Sequence, residues 1–269
     1  MNILLTGGTG SFGRSFIVEA LSHGDFGVLR VFSRHEHDHG TLRRALPDSR
    51  LRWLIGDVRD RDRLETAMRG CEVVVHAAAL KCIETGAYDP QEVIKTNVDG
   101  SSNVVSAAIH QGVKFVLGIS TDKAVNPTTL YGASKLMEEE LFLNANSWSP
   151  TAFAILRSGN FWQSQGNVFE IWDAQKAQGK PLTLIPGTKR YFIEVEQVAG
   201  LAWHLIMRRK PGIYIPKMGE HLMDDCAREM YPGCEIQEIP KRQGEKDREE
   251  LWRPDESPES HGDYWQISR

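Results

Sequence analysis

The sequence predicts an α/β protein with a doubly wound parallel sheet and a small C-terminal lobe. Two observations carry this prediction. Short apolar runs alternate with stretches of helical apolar spacing over the first 160 residues, and the first run leads directly into a glycine-rich loop. Such alternation covers both faces of a parallel sheet with helices through right-handed connections. The predicted strands are Ile3–Thr6, Val28–Phe32, Leu51–Ile55, Val73–His76, Phe115–Ser120 and Phe153–Leu156.

Beyond residue 160 the apolar pattern is less regular. We therefore place the sheet domain at residues 1–160 and the smaller lobe, lying over the carboxyl ends of the strands, at residues 161–269. The segment Pro254–Gly262 is rich in Pro, Ser and Glu and is expected on the surface. The lobe is expected to contain helices at Val168–Gln178, Val198–Met207 and Leu222–Met230, and extended pieces at Leu182–Ile185, Ile213–Ile215 and Ile236–Ile239.

The bulk composition is that of an ordinary globular protein. The chain has 269 residues, a formal net charge of −4 and 41% hydrophobic residues. This balance gives no reason to expect a nucleic-acid partner, and no apolar run reaches the roughly 20 residues of a membrane helix. The N-terminus enters a strand pattern without a charged leader, so we expect a cytoplasmic protein. Its four cysteines lack metal-ligand spacing and are expected as free thiols.

A glycine-rich loop, Gly7–Gly13, lies between the first predicted strand and a helical stretch. Its first glycine allows a tight turn, Gly10 lets the backbone approach a pyrophosphate, and the last lets the helix pack closely on the sheet. In this position the pattern predicts a Rossmann-type dinucleotide site. The cofactor contacts expected from the loop are those of Gly7, Thr9, Gly10, Ser11, Phe12 and Gly13.

The end of the second strand indicates which dinucleotide binds. In NAD sites an acidic side chain about 20 residues past the glycines binds the ribose 2′-hydroxyl. Here the strand ends in Ser33 and Arg34. Arg34 can pair with a 2′-phosphate, so the sequence predicts NADP. Asp57 and Val58, after the third strand, are placed to meet the adenine ring.

Three histidines, His35, His37 and His39, follow Arg34. Alternating histidines can indicate a metal site, but no cysteine or carboxylate is clearly paired with these. We therefore interpret them as a solvated loop near the adenosine phosphate and expect no metal.

A tyrosine and a lysine follow the fifth predicted strand. Tyr131 and Lys135 are one turn apart on the same helix face. A phenol has a pKa of about 10, and a neighbouring ammonium favours the phenolate. We therefore expect Lys135 to lower the pKa of Tyr131 so that the tyrosine acts as a base. Thr121, Asp122 and Lys123 stand at the carboxyl end of the strand, where open α/β sheets place their chemistry.

With these motifs the chain resembles the extended short-chain dehydrogenase/reductases. Within them it is similar to the bacterial UDP-N-acetylglucosamine 4,6-dehydratases of polysaccharide and flagellin-glycan biosynthesis. The resemblance covers nearly the whole chain and is strongest at residues 120–127, which lead into residues 131–135. Further matching stretches are residues 76–81, 94–98, 157–160, 189–191, 214–217 and 242–246.

The resemblance implies a redox-neutral, NADP-dependent removal of water from a UDP-N-acetylhexosamine, with UDP-N-acetylglucosamine the expected substrate. The product would be a 4-keto-6-deoxy sugar. Tyr131 would take the proton of the 4-hydroxyl, Thr121 would hydrogen-bond that oxygen, and Lys135 would also hold the nicotinamide ribose. Lys123, if neutral, would take the proton of carbon 5. Asp122, if protonated, would protonate the departing 6-hydroxyl.

The resemblance also assigns binding residues. Ala77, Ala78 and Ala79, after the fourth strand, are expected at the cofactor. Cationic side chains suit a pyrophosphate and a carboxylate suits ribose hydroxyls. The expected substrate contacts are Lys81, Asn160, Arg190, Arg242 and Glu245.

Three positions depart from the family pattern. Ser158 replaces a usual Tyr, Gln165 an Arg and Gln243 a Pro, and together they leave the precise sugar nucleotide open.

Other functions fit part of this pattern. A 4-epimerase or 4-reductase on the same scaffold would keep Tyr131 and Lys135 but would not need Asp122 and Lys123. A non-catalytic NADP-binding protein often lacks the Tyr or the Lys, and both are present here. We expect a homo-oligomer. The sequence leaves open the number of subunits and whether carbon 5 of the sugar is inverted.

Overall fold

The computed structural model describes residues 1–162, 164 and 166–268, with the side chains of all of these except residues 83–85. The strands are β1 (Asn2–Thr6), β2 (Val28–Ser33), β3 (Leu51–Ile55), β4 (Val73–His76), β5 (Phe115–Thr121), β6 (Ala152–Ser158), β7 (Asn160–Phe161), β8 (Leu182–Leu184), β9 (Lys189–Ile193), β10 (Gly212–Pro216), β11 (Gly219–Leu222), β12 (Ile236–Glu238), β13 (Glu259–His261) and β14 (Tyr264–Ile267).

The helices alternate with these strands through the first half of the chain. A π-helical segment, Ile94–Asp99, joins α5 to α6, and a 3₁₀ turn at Asp122–Ala124 follows β5. The α-helices are α1 (Ser11–His23), α2 (Glu36–Ala45), α3 (Arg61–Met68), α4 (Ile83–Tyr88), α5 (Pro90–Val93), α6 (Gly100–His110), α7 (Leu130–Ala145), α8 (Val168–Ala177), α9 (Val195–Arg208) and α10 (Met223–Met230).

The main sheet has nine strands among the described residues, in the order β13-β14-β10-β6-β5-β4-β1-β2-β3. The run from β3 to β10 is parallel throughout, and β14 and β13 add two antiparallel pairings at one edge. The strand order reverses between β1 and β4, and ligands of such sheets bind in the crevice at this point. The predicted doubly wound parallel sheet is confirmed.

The central strands β1, β4, β5 and β10 form because most of their residues are apolar and buried. Successive side chains of a strand point to opposite faces of the sheet. Ile3 and Leu5 therefore join the core cluster on one face, whereas Leu4 joins the cluster on the other. Both faces of the sheet are covered by helices, which is the reason that the strands read as continuous apolar runs.

The predicted boundary at residue 160, between the sheet domain and the smaller lobe, does not match the observed sheets. Helix α9 packs on α1, and β10 pairs with β6 inside the main sheet. A short buried run such as Ile213–Ile215 carries no local sign of the sheet that it joins, so the sequence could not place it. The smaller lobe is built from β7, β8, β9, β11, β12, α8 and α10 around a third apolar cluster.

One local expectation was wrong: residues 36–45 form helix α2, where we expected a solvated loop. The segment Pro254–Gly262 lies mostly on the surface as expected, with the exception of Glu256, which is buried against the Arg157 guanidinium. Within the described part of the chain, no helix is long and apolar enough to cross a membrane.

Candidate active site

The glycine loop and the segment after β4 meet at the crevice between β1 and β4. Gly7 has a φ of +68°, and its backbone N–H donates to the Phe32 carbonyl over 2.9 Å. A Cβ at this position would lie 2.7 Å from the backbone of Ala77 and Ala78, so only glycine allows the two loops to approach so closely. The sequence-predicted residues of the loop and two of the three alanines are thus brought together.

The start of α1 suits a phosphate group. Its N-cap is Gly10, which has no side chain, and its first turn contains no acidic residue. The backbone N–H groups of a helix start and the helix dipole together favour an anion. Phe12 is only 6% exposed and lies in the core, so its backbone rather than its ring faces the loop. These residues fit the pyrophosphate of a dinucleotide.

The expected adenosine-end residues also lie near one another. Arg34 is exposed and close enough to Asp57 for its charge to act on the carboxylate. Burial opposes ionisation of Asp57, but hydrogen bonds from Arg59 and the charges of Arg59 and Arg34 lower its pKa. Arg59 binds Asp57 at distances of 2.6 to 3.0 Å. The sequence did not predict this pairing. Arg59 is thus engaged by Asp57, whereas Arg34 is exposed just after β2.

The three histidines do not act alike. His35 is the N-cap residue of α2, and His37 is exposed in its first turn. His39 is only 5% exposed, because the helix turns it inward, where Nε2 hydrogen-bonds the Ser33 hydroxyl. Burial lowers the pKa of His39, which keeps it neutral. Within the described ranges, no group of His, Cys, Asp or Glu side chains is arranged to hold a metal ion.

The 3₁₀ turn at Asp122–Ala124 and helix α7 are held in close contact. Thr129 caps α7 by accepting a hydrogen bond from the Gly132 N–H at 3.2 Å. A Cβ at Gly132 would lie 2.2 Å from the Lys123 carbonyl oxygen, so glycine lets the helix start touch the 3₁₀ turn. This approach places the Tyr131 phenol close enough to Thr121, at the end of β5, for the threonine hydroxyl to act on the phenol. The structure therefore brings together Thr121 and Tyr131, which are ten positions apart in the sequence.

The environment of Tyr131 differs from the one that we expected. Burial raises the pKa of Tyr131, and the carboxylates of Glu138 and Asp122 act in the same direction, while the hydrogen bond with Thr121 opposes them. The expected lowering by Lys135 is therefore wrong for the chain by itself. The reason is that Lys135 Nζ is paired with Glu138 Oε2, and both side chains are fully buried.

Asp122 and Lys123 form a hydrogen-bonded couple. Lys123 Nζ lies 3.0 Å from Asp122 Oδ1, 3.2 Å from Asn160 Oδ1 and 4.0 Å from Glu249 Oε1. Asp122 is completely buried, and its Oδ2 has no hydrogen-bond partner among the described residues. The couple places a carboxyl group and an amine side by side, which are the two kinds of group that an acid–base elimination needs.

Residues 240–257, here called the C-terminal strap, cross over the 3₁₀ turn at Asp122–Ala124. Lys246 Nζ donates to the Val125 carbonyl over 2.7 Å, and the Thr128 hydroxyl donates to the Gly244 carbonyl over 2.7 Å. The strap thereby brings Glu249 to Lys123 and closes a small cavity. This cavity is lined by Lys123, Thr128, Thr129, Gly244, Glu245, Lys246 and Glu249.

The predicted substrate residues fall into two groups. Lys81 and Asn160 lie beside Lys123: burial lowers the pKa of Lys81, Glu170 opposes this, and the Lys123 ammonium adds to the lowering. Arg190 of β9 forms an ion pair with Glu245 of the strap. Arg242 lies on the strap and is exposed.

Two of the three departures from the family pattern are near this site. Ser158 is buried and pairs in register with Thr121 on the neighbouring strand. Gln243 is exposed on the strap, whereas Gln165 lies outside the described residues.

The sequence reasoning missed several residues of the site. Asn97 binds the Leu80 backbone at both its oxygen and its nitrogen, 2.8 and 2.9 Å away, and also donates to the Ser134 hydroxyl, so that it ties the loop after β4 to α7. It lies in the π-helical segment, a feature frequent at functional sites. Glu138 could have been found, because it is seven residues after Tyr131 and therefore on the same helix face.

The parallel sheet, the glycine loop and the Thr121–Tyr131–Lys135 arrangement define the scaffold of the extended short-chain dehydrogenase/reductases. A sequence model of the family described as "Polysaccharide biosynthesis protein" matches residues 3–268, and the chain belongs to this family. The UDP-N-acetylglucosamine 4,6-dehydratase (inverting) of Campylobacter jejuni is 37% identical over 262 residues, which are 95% of this chain and 78% of that protein. The resemblance expected from the motifs is confirmed.

Other relatives have a different activity in their names. A UDP-glucose 4-epimerase of Rickettsia conorii is 36% identical over 279 residues, covering 98% of this chain and 82% of that protein. The X-ray structure of Pen from Bacillus thuringiensis matches with a TM-score of 0.93 and 33% identity, covering 99% of this chain and 86% of that one. The choice between a dehydratase and an epimerase therefore depends on the residues of the site.

Proposed function

We propose that this enzyme removes water from a UDP-N-acetylhexosamine, UDP-N-acetylglucosamine in the first instance, to give a 4-keto-6-deoxy sugar nucleotide. The observation that carries the proposal is the buried Asp122–Lys123 couple beside Tyr131. Oxidation at carbon 4 needs only the tyrosine and a hydride acceptor, whereas elimination also needs an acid and a base. The identity to an inverting dehydratase supports the same substrate class.

The cofactor proposed for the crevice is NADP. The Gly7–Ala77 approach and the uncapped start of α1 support a dinucleotide, and exposed Arg34 at the end of β2 supports a 2′-phosphate. Asp57 is bound by Arg59, so it is less available to the ribose hydroxyl that NAD would present. When bound, the nicotinamide would accept hydride from carbon 4 and return it to carbon 6.

Tyr131 is the proposed base for the sugar 4-hydroxyl. Thr121 contacts the phenol and can hydrogen-bond the same sugar oxygen. Lys135 is one helical turn away, and the part of its positive charge that Glu138 does not offset favours the phenolate. Its ammonium has three N–H donors, so one can bind Glu138 while others reach a ribose hydroxyl.

Elimination is the proposed task of the couple on the 3₁₀ turn. The ketone at carbon 4 acidifies the proton at carbon 5, and the Lys123 amine takes this proton. Asp122 gives its proton to the 6-hydroxyl, which leaves as water. Asn160 and Glu249 hold Lys123 in place for this step, so Asn160 acts through Lys123 as well as at the substrate. Lys81 lies near enough to contribute a further positive charge at the sugar.

The diphosphate of the substrate is proposed to lie along the C-terminal strap, at Arg190, Arg242 and Glu245. The Arg190–Glu245 ion pair is under the strap and only partly exposed, so its groups are oriented before a ligand arrives. A planar guanidinium can bind two phosphate oxygens at once, and a carboxylate can accept from ribose hydroxyls.

We also propose a cytoplasmic homo-oligomer. Large hydrophobic side chains are exposed at Tyr88, Ile94 and Met137, on α4, the π-helical segment and α7. Helix α7 packs against both α4 and the π-helical segment. Exposed apolar groups on neighbouring helices are common at protein–protein interfaces.

The test of the proposed function is a reaction of the protein with UDP-N-acetylglucosamine and NADP in deuterated water, analysed by NMR. A dehydratase yields a product with a methyl group at carbon 6, no 6-hydroxyl and deuterium at carbon 5. A product that keeps its 6-hydroxyl and is inverted only at carbon 4 would contradict the proposal. It would favour the epimerase activity named for the Rickettsia relative.

A further inference from the structure

A buried acid faces the catalytic lysine from its own helix. Glu138 follows Lys135 by three positions, and Lys135 Nζ contacts Glu138 Oε2. The two side chains are 2% and 0% exposed. Glu138 Oε1 has no hydrogen-bond partner among the described residues, so the lysine is the main compensation for this carboxylate. A buried carboxylate oxygen without a hydrogen-bond partner destabilises the folded state, so its presence calls for a structural or functional explanation.

The carboxylate is part of a hydrogen-bonded chain that reaches the cofactor loop. Ser101 Oγ lies 3.3 Å from Glu138 Oε2 and 3.2 Å from His76 Nε2, and it donates to the Asn97 carbonyl over 2.5 Å. His76 Nδ1 lies 2.7 Å from the Thr6 hydroxyl, at the residue before Gly7. Each side chain of this chain is buried. The environment of Lys135 is therefore fixed from β1, β4 and α6 as well as from α7.

The other charged or titratable groups facing this pair are few. His76, from β4, is neutral, because burial and the Lys135 charge lower its pKa to about 3. Glu139, the next residue of α7, is bound by Arg157 at 2.7 Å. Asp122, from the 3₁₀ turn, accepts a hydrogen bond from Lys123 Nζ over 3.0 Å. Burial raises the pKa of Glu138 to about 7, with Glu139 adding to this and Lys135 opposing it, so Glu138 changes charge near neutral pH.

We propose that Glu138 is a positioning residue of the reaction, which holds the Lys135 ammonium through one N–H and, by its charge, sets how strongly Lys135 favours the Tyr131 phenolate. The inference rests on the proposed function, because it concerns the base of that reaction. An ionised Glu138 cancels much of the field of Lys135 at the phenol. Burial makes this effect large, since few solvent dipoles screen it.

The structure supports this direction independently of the helix spacing. The Glu138 carboxylate acts on Tyr131 to raise its pKa, second only to burial. When Glu138 is neutral, Lys135 is no longer offset and the phenol loses its proton more readily. The state of Glu138 thus adjusts the base without any contact between Glu138 and the sugar.

The experiment compares the pH profiles of hydride transfer in single-turnover reactions with UDP-N-acetylglucosamine and NADP, read from the absorbance of reduced nicotinamide. Glu138→Gln should move the rising limb of the profile to lower pH by roughly one to two units, the effect of removing one nearby charge from a partly screened site. The KM for the sugar should not change. Glu138→Asp keeps the charge and should restore the wild-type profile.

A matched control is Glu139→Gln, at the neighbouring and equally buried glutamate that binds Arg157. It should lower the melting temperature and move the limb much less than Glu138→Gln does, because Glu139 binds Arg157 and not Lys135 and acts on the phenol only through Glu138. Glu138→Ser, in which water can occupy the vacated space, provides a second neutral variant if Glu138→Gln does not fold. It should shift the limb in the same direction.

Two results would overturn the inference: a Glu138→Gln or Glu138→Ser profile that superimposes on the wild type, or an equal shift in Glu139→Gln. Failure of the proposed function looks different. In that case the wild-type enzyme would either form no reduced cofactor with the sugar at any pH or release a product that keeps its 6-hydroxyl, before any variant is compared.

Discussion

Replacement of Arg157 by methionine tests the buried charge network that secures the C-terminal strap. The Arg157 guanidinium is 1% exposed and binds Glu139 Oε2 at 2.7 Å and Glu256 Oε2 at 2.9 Å. It also donates to the Leu251 carbonyl over 2.9 Å. One side chain of β6 therefore joins α7 to the end of the strap. Methionine preserves most of the volume and removes every one of these bonds.

The expected loss follows from the groups that remain. Glu139 and Glu256 are 1% and 2% exposed at their side chains, so both carboxylates would stay buried without Arg157, and Glu256 alone would keep a second cation, Arg253. Removing one partner of a buried ion pair costs about 3–5 kcal/mol. For a chain of this size each kcal/mol lowers the melting temperature by about 2–4 °C, so we expect a decrease of about 6–20 °C.

The measurement is urea and thermal unfolding of the wild type and Arg157→Met, with Arg52→Met as the control. Arg52 is exposed on β3, and its replacement should change the free energy of unfolding by no more than about 0.5 kcal/mol. If Arg157→Met changes stability no more than Arg52→Met does, the network does not hold the strap and the reasoning fails.

The same variant has a defined pH dependence. Burial opposes ionisation of Glu256, but hydrogen bonds and charge from Arg157, with a contribution from Arg253, lower its pKa below the ordinary value of 4.5. A lowered carboxyl pKa stabilises the folded state above the ordinary pKa and loses this contribution as the pH falls through the folded value. The difference between wild type and Arg157→Met should therefore shrink below about pH 4.5. A difference that grows on acidification would contradict this sign.

Three further predictions concern the chemistry. Arg34→Ala should weaken NADP binding and leave NAD binding nearly unchanged in parallel calorimetric titrations; equal or tighter binding of NAD by the wild type would refute the NADP proposal. Tyr131→Phe should abolish hydride transfer while fold and cofactor binding persist, and near-normal turnover would exclude Tyr131 as the base. Lys123→Ala should accumulate reduced cofactor without deuterium entering carbon 5. Asp122→Asn should slow loss of the 6-hydroxyl by about 10²–10⁴-fold; normal dehydration by both would refute these roles.

Local patterns predicted much of the fold because their causes are local. A buried parallel strand is a largely apolar run wherever it occurs, so the bounds of β4 could be predicted to the residue. The helix with Tyr131 and Lys135 followed from spacing alone. Pairing is different: the apolar run that becomes β10 has the same local pattern as one in a separate lobe. For that reason the predicted boundary at residue 160 does not match the observed sheets, in which β10 belongs to the main sheet.

By itself, the sequence determined the doubly wound sheet, the glycine loop and the close succession of Thr121, Asp122 and Lys123 before a Tyr–Lys helix. Only the tertiary structure decided what surrounds these groups. Glu138 pairs with Lys135, and Glu249 arrives on the strap from far along the chain. The direction of the Tyr131 pKa depends on burial and on charges a few ångströms away. Such fields come from spatial neighbours, which spacing along a chain does not specify.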